Sequence, residues 1–380
     1  MDSEFAMTQQ RTAYGAKTLP AAYYTDPAIY QAESEAIFGQ SWLCLGRTSQ
    51  VPTPGSYQLH QIEDESLILL RDQQGQIRTF FNVCRHRGTR LCTAPSGQLS
   101  HSIQCPYHAW TYSLDGRLRG APNMNDVANF DKADYPLFGV ETAVWQGFIF
   151  INLSPQPTPL AQALTPSYNK FDQWNLTNLQ SVRRITYTVA CNWKLLFQNY
   201  SECYHCPTAH PTLNQLTHYR DASNDLEEGP ILGGPMKLAA DSSSMTLNGR
   251  ACATPLGQLQ GDDLHLVYYY TLFPTLFLSL HPDYVLVHRL QRQGVAQTRV
   301  ICDWLFDPTA AAAPDFNPQP AVDFWDMTNQ QDWQLCEWSQ AGIGSRAYQP
   351  GPYSELESQL AAFDRHYLAS MSLLDSRSLS

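Results

Sequence analysis

The sequence predicts an α+β protein with an all-β N-terminal part, followed by a part built from strands and long helices. Three observations carry this. Short β-type runs separated by Gly and polar turns fill the stretch from Gly55 to Phe150. The Pro-rich segment Ser154-Pro155-Gln156-Pro157-Thr158-Pro159 then interrupts the chain. Beyond it, strand-like alternation and helical periodicity both occur, ending in a long helical pattern from about Val322 to Gln340.

In chain order, Met1–Ala6 precede a second methionine, Met7, and read as a cloning remnant. They have neither the basic nor the apolar region of a signal peptide, so no export is expected. Ile29, Tyr30, Ile37, Phe38 and Trp42 recur at helical spacing and predict a helix from about Ala28 to Trp42. It lies in an N-terminal segment, 7–45, expected to pack on the C-terminal domain. The all-β domain is placed at 46–155. Its strands include Ser66–Leu70, Thr79–Val83 and Trp145–Leu153, and Leu114-Asp115-Gly116-Arg117 suits a tight hairpin. The C-terminal domain is placed at 156–380. Val182–Ala190 alternates as a strand. Asn192 to about His210 reads as a helix with Trp193, Leu196, Phe197 and Tyr200 on an apolar stripe. His265–Leu280, Tyr284–Gln291 and Thr298–Phe306 read as strands of a second sheet. Pro-Gly-Pro at 350–352 precedes a short terminal helix.

The 380 residues suffice for two domains, and 43% hydrophobic content supports a sizeable core. A net charge of −11 argues against nucleic-acid binding, which needs clustered Lys and Arg. No apolar run is long enough to span a membrane. Ten cysteines in a chain this long do not suggest a disulfide scaffold, and a reducing, cytoplasmic compartment is expected. The cysteines are then core residues or metal ligands.

Two constellations carry metal chemistry. Cys84-Arg85-His86-Arg87-Gly88 is followed, with eighteen residues between His86 and Cys105, by Cys105-Pro106-Tyr107-His108-Ala109-Trp110. Each half offers one Cys and one His in a tight loop. Such a set holds a Zn²⁺ ion or a [2Fe–2S] cluster. In the cluster, two thiolates meet one iron and two imidazoles the other, which raises the potential. Cys92, between the halves, reads as a core or loop residue. The second constellation is Glu202-Cys203-Tyr204-His205-Cys206-Pro207-Thr208-Ala209-His210. Glu202 and His205 would share a helical face, and Pro207 would end or distort the helix so that His210 swings back. Two His and one carboxylate with open positions suit non-haem Fe(II). Glu202 and Asp332 both qualify as the carboxylate, with Asp326 a further alternative. A zinc site from Cys203, His205, Cys206 and His210 is the rival; otherwise Cys203 and Cys206 pack the helix.

From about Tyr24 to Tyr367 the chain resembles the α subunits of Rieske non-haem iron oxygenases, on both constellations. The Glu-Cys-Tyr-His-Cys-Pro run and the tail from Gln340 to Pro352 look like the branch acting on glycine betaine and other quaternary ammonium compounds. The resemblance implies a Rieske β domain and a helix-grip catalytic domain with a curved antiparallel sheet. It implies that Cys84, His86, Cys105 and His108 hold the [2Fe–2S] cluster, and that His205, His210 and Asp332 hold a mononuclear Fe(II). Glu202 would then bridge to the cluster of a neighbouring subunit in a homotrimer. The partners implied are O₂, a small-molecule substrate and a separate flavin and iron–sulfur reductase using NADH or NADPH. The implied activity is oxidative N-demethylation with formaldehyde release; hydroxylation of an aromatic ring is the alternative. A bare electron carrier would leave residues 155–380 without a purpose. Tyr268, Tyr269, Tyr270, Phe273 and Phe277 are candidates for an aromatic pocket, and Arg289 and Arg346 for holding a substrate carboxylate.

Overall fold

The computed structural model describes residues 16–165 and 167–377. Met1–Ala6, the suspected remnant, lies outside them. The chain divides into two compact units: Gly39–Leu160, and the residues up to Phe38 together with those from Ala161 onward. No helix among the described residues is long and apolar enough to cross a membrane.

The Gly39–Leu160 unit is all β. Its strands are β1 (Leu43–Arg47), β2 (Ser56–Ile62), β3 (Glu65–Arg71), β4 (Ile77–Phe81), β5 (Ser96–Gln98), β6 (Ser102–Gln104), β7 (Thr111–Ser113), β8 (Leu118–Gly120), β9 (Gly139–Trp145) and β10 (Phe148–Asn152). Seven form an antiparallel sheet in the order β1-β10-β9-β4-β3-β2-β5, and β6-β7-β8 form a small second sheet. Leu67–Leu70 on β3 are wholly buried, so both faces of that strand are covered. The expected hairpin at Leu114–Arg117 is present between β7 and β8. Gly116 turns there at φ +92°, and a Cβ on it would lie 2.6 Å from the Phe80 ring. No other residue fits both demands. One core joins Ile68, Leu70, Phe80, Trp110 and Tyr112 to Cys84, Cys92 and Cys105.

In the other unit a short helical turn, Ala22–Thr25, precedes α1 (Pro27–Glu33), which is capped by the Asp26 carboxylate accepting from the Ala28 N–H at 2.8 Å. A π turn, Ser34–Phe38, ends it, so the helix expected to run to Trp42 stops earlier and β1 follows. Then come β11 (Gln180–Val189), α2 (Trp193–Tyr200), α3 (Cys206–Ala209), α4 (Pro211–Leu216), β12 (Ile231–Lys237), β13 (Leu266–Leu272), β14 (Leu276–Leu280), β15 (Val285–Gly294), β16 (Gln297–Phe306), α5 (Gln319–Ile343) and α6 (Ser358–Arg377). The six strands form one antiparallel sheet in the order β11-β16-β15-β14-β13-β12. The single strand expected over 265–280 is a hairpin of β13 and β14, because Pro274 cannot donate to a ladder and sits in the turn.

The helix expected over 192–210 is also broken, at Ser201 and not at Pro207. The Glu202 carboxylate captures the backbone N–H groups of Tyr204 and His205, which a helix would have used elsewhere. Pro207, lacking an N–H, opens α3 in its first turn instead of ending a helix. Cys203 and Cys206 are joined in a disulfide across this break, so they are not helix-packing residues. The other eight cysteines are free.

A buried ionic hub ties the unit together. Glu33, fully buried at the end of α1, pairs with Lys194 of α2 and accepts from Trp193 Nε1 at 3.0 Å. It also accepts from Arg292 Nη1 of β15 at 2.9 Å and from the Tyr367 hydroxyl of α6 at 2.7 Å. Burial lowers the Lys194 pKa to about 8, although the Glu33 charge pulls it back up. Glu33→Ala removes the carboxylate that both buried cations contact. Denaturant unfolding should then register a loss of about 3–5 kcal/mol; a loss within about 0.5 kcal/mol would show that water solvates the hub.

Candidate metal centres

In the all-β unit, the two Cys-His loops are built alike. In each, the Cys carbonyl accepts from the N–H four residues on, Gly88 at 3.0 Å and Ala109 at 3.1 Å. Both of those residues are left-handed, at φ +74° and +56°. The Cys N–H then donates to the next carbonyl, Thr89 at 2.9 Å or Trp110 at 2.8 Å. Gly88 takes this conformation freely, whereas Ala109 does so at a cost of about 1 kcal/mol. The loops thereby sink both sulfurs and leave the imidazoles outward. Cys84 and Cys105 are buried in the core, and His86 is exposed. The His86 ring stacks on Trp110 at 4.8 Å and meets His108 edge-on at 4.8 Å. The Tyr112 hydroxyl lies 3.4 Å from Cys84 Sγ and accepts from the Arg85 N–H at 3.1 Å.

Two buried thiols and two outward imidazoles whose rings lie 4.8 Å apart fit a two-iron cluster, with sulfur on one iron and nitrogen on the other.

The second centre is assembled in the other unit from the break after α2 and from α5. His205 Nε2 and His210 Nε2 point at the same oxygen, Asp332 Oδ1, at 3.3 and 2.8 Å. Their other nitrogens are also engaged. His205 Nδ1 lies 2.6 Å from Glu202 Oε1, and His210 Nδ1 lies 2.7 Å from Gln331 Oε1. Both Nδ1 atoms face acceptors, an arrangement suited to the tautomer that leaves Nε2 free to ligate a metal. Burial raises Asp332, but the hydrogen bonds of His205 and His210 outweigh it and hold the carboxyl at about 2. Burial lowers His205, but Asp332 and Glu202 outweigh it and bring the imidazole to about 10. The carboxylate oxygen facing both Nε2 atoms makes the space between them attractive to a cation.

Asp326 does not join this group. It accepts from the Tyr187 hydroxyl at 2.5 Å and from Gln330 Nε2 at 2.9 Å, on another face of α5. Cys203 and Cys206, being disulfide-bonded, offer no thiolate to the rival zinc set.

The centre opens into a cavity with about 790 Å³ of empty space, part of it open to solvent. Its walls include Tyr200, Tyr269, Trp325, Thr328, Gly233 and Gln359. Of the five aromatic candidates only Tyr269 lines it. Tyr268 and Tyr270, one position off in the pleat, face Trp174 and Phe171 instead. Phe277 stacks behind Tyr200 at 4.5 Å, and Phe273 packs on Trp193. Neither Arg289 nor Arg346 lines the cavity; Arg289 is buried 3.4 Å from Asp303. Sequence reasoning missed Gln331, Trp325 and Thr328. The last two lie seven and four residues before Asp332, a helical spacing that places all three on one face.

Two family models match the chain: a Rieske [2Fe–2S] domain over residues 41–131 and the catalytic domain of a ring-hydroxylating α subunit over 176–373. The glycine betaine monooxygenase oxygenase subunit of Chromohalobacter salexigens is 34% identical, over 93% of this chain and 85% of that protein. The carnitine monooxygenase oxygenase subunit of Escherichia coli K12 is 38% identical over 51% of this chain and 52% of its own. A solved quaternary ammonium Rieske monooxygenase, described for carnitine oxidation and inter-subunit electron transfer, superposes with a TM-score of 0.79. It is 25% identical and covers 97% of both chains.

Gln331→Leu removes the acceptor that orients His210. Outer partners of this kind are typically worth about 10–100-fold in metal affinity. Iron titration of the metal-depleted variant should show weaker mononuclear binding by that factor, with the visible absorption of the [2Fe–2S] cluster unchanged. Equal affinity would mean that His210 needs no such partner.

Proposed function

The chain belongs to the Rieske oxygenases of the ring-hydroxylating α-subunit family, and we propose that it hydroxylates an N-methyl group of a quaternary ammonium substrate. The family uses a Rieske [2Fe–2S] cluster and a mononuclear iron. In our reading Cys84, His86, Cys105 and His108 hold the first, and His205, His210 and Asp332 the second. The iron, when bound and supplied with electrons, activates O₂ for insertion of one oxygen atom into a C–H bond. The product, an N-hydroxymethyl compound, releases formaldehyde and leaves the demethylated amine.

The observation that carries the substrate class is the wall beside the candidate iron ligands. Tyr200, Tyr269 and Trp325 line the cavity together with the Glu202 and Asp332 carboxylates. Aromatic faces and anionic groups attract a cation that cannot donate hydrogen bonds. The rings are held from behind, so they keep their orientation. The Tyr200 hydroxyl lies 2.7 Å from Ser279 Oγ, and Trp325 Nε1 donates to the Tyr284 hydroxyl at 2.6 Å.

Glu202 has a second task in this reading. Its Oε1 meets His205 Nδ1 within the chain. In a homotrimer it would also accept a hydrogen bond from His108 of a neighbouring copy, joining cluster and iron by a short path. A flavin and iron–sulfur reductase drawing on NADH or NADPH is the electron source.

Aromatic-ring hydroxylation is the second reading. In its favour, no Arg or Lys is found among the described residues that line the cavity. The two readings part in one assay. With a compatible reductase and NADH, quaternary ammonium compounds should yield formaldehyde in proportion to the NADH consumed, and simple arenes no hydroxylated product. The opposite pattern would reverse the assignment. Glu202→Gln should retain both metals yet lower kcat at least about 100-fold, since it removes the charge on the proposed path. Full turnover by that variant would end the bridging role.

A further inference from the structure

The disulfide between Cys203 and Cys206 sets these two residues apart from the other cysteines. The remaining eight are free, and seven of them are buried. Even Cys191 and Cys336, which meet side by side in the core, stay thiols. The bonded pair lies instead on the wall of the cavity that holds the candidate iron ligands. Cys206 is only 3% exposed, whereas Cys203 is half-buried and lines a space partly open to solvent.

The bond brackets His205, joining residues only three positions apart. Stabilisation by a disulfide grows with the length of chain it closes, so this one adds little to the fold as a whole. Its effect falls on the local path between the two imidazoles. On one side, Cys203 belongs to the turn whose Tyr204 and His205 N–H groups the Glu202 carboxylate holds. On the other, Cys206 opens α3, and its carbonyl accepts from the His210 N–H at 2.9 Å. Hydrogen bonds also cross the turn, among them Cys206 N–H to the Cys203 carbonyl at 3.1 Å. Opening the S–S bond therefore loosens the turn without dissolving it.

The cavity gives a small dithiol a route to Cys203. Attack of its thiolate on Cys203 Sγ forms a mixed disulfide and breaks the S–S bond, and the Cys206 sulfur leaves and takes up a proton. The second thiol of the same reductant then attacks the mixed disulfide. Cys203 is released as a thiol, and the reductant departs as a cyclic disulfide, having supplied two electrons and two protons. With the bond open, hydrogen bonds alone hold His205 in register with His210, and fixing the pair around an ion costs more. Resting on the reading of His205, His210 and Asp332 as the iron ligands, we propose that Cys203–Cys206 is a thiol-exchange site that gates the mononuclear centre: closed, it retains the iron, and opened by a small dithiol, it lets the iron go.

The test uses the holoenzyme and reads iron release, not turnover. Peptide mapping without reductant should recover residues 203 and 206 joined. Brief anaerobic treatment with dithiothreitol should open that bond and leave the visible absorption of the [2Fe–2S] cluster unchanged. Once the dithiol is removed, a ferrous chelator should take the mononuclear iron at least about tenfold faster than from untreated enzyme. Closing the bond again with diamide, a diazene that accepts the two hydrogens, should restore the slow rate. The double variant Cys203→Ser, Cys206→Ser should release iron at the fast rate and ignore dithiothreitol; the dithiol arm on the unaltered chain stands even where that variant folds poorly. No bond between 203 and 206 in the isolated enzyme, or release unchanged on opening it, overturns the gate while the ligand reading stands. Mononuclear iron retained at full occupancy in Asp332→Ala overturns the ligand reading, and the gate with it.

Discussion

The buried carboxylate of Glu33 is the interaction on which the catalytic unit depends. It is one anion among two cations, a tryptophan N–H and a tyrosine hydroxyl, contributed by α2, β15 and α6. Such a cluster cannot slide. If α1 or α2 shifts by half a turn, a charge loses its partner in the low-dielectric interior. The end of α2 is therefore fixed in space, and the chain leaves it at Ser201 directly into Glu202 and His205. A second buried set on the same helix repeats the device. Gln198 donates to Asp364 at 2.9 Å, the Tyr353 hydroxyl donates to the same carboxylate at 2.8 Å, and burial raises that carboxyl to about 7.

From that anchored end the centre is built by a break, not by a continuous helix. The Glu202 carboxylate does two jobs in one position. One oxygen caps the backbone of Tyr204 and His205, and the other orients the His205 ring. The residue that shapes the loop therefore also sets the tautomer of the imidazole. Asp332 arrives from α5, whose Trp325 and Thr328 share the cavity face. The β12–β13 edge of the sheet closes the other side. α5 thus carries a candidate metal ligand and part of the wall on one face, while the β12–β13 edge contributes wall alone.

Much of this was legible in the sequence where the signal is local. The Cys-x-His and Cys-x₂-His loops and the His205/His210 pair are written in adjacent residues. Close spacing leaves few ways to arrange them, and the structure brings His205, His210 and Asp332 together from 122 residues apart. The misreadings all involve partners distant in the chain or competing hydrogen bonds. The tyrosine triplet Tyr268-Tyr269-Tyr270 looks alike in sequence, but the pleat sends only the middle one into the cavity. The helix over 192–210 had a good apolar stripe, yet a side-chain carboxylate outcompeted helical bonding after Tyr200. The cysteines at 203 and 206 were read as packing residues because periodicity gives no sign of a bond across a break.

The junction at Asp332 has a thermodynamic consequence. In the proposed centre, two ligands leave the α2–α4 segment and the third leaves α5, so a bound ion is a cross-link between parts of the chain far apart in sequence. Any ligand that binds the folded state alone raises its stability by mass action, about 2.7 kcal/mol at a hundredfold excess over Kd. An ion bound there would therefore hold the fold together as well as serve turnover.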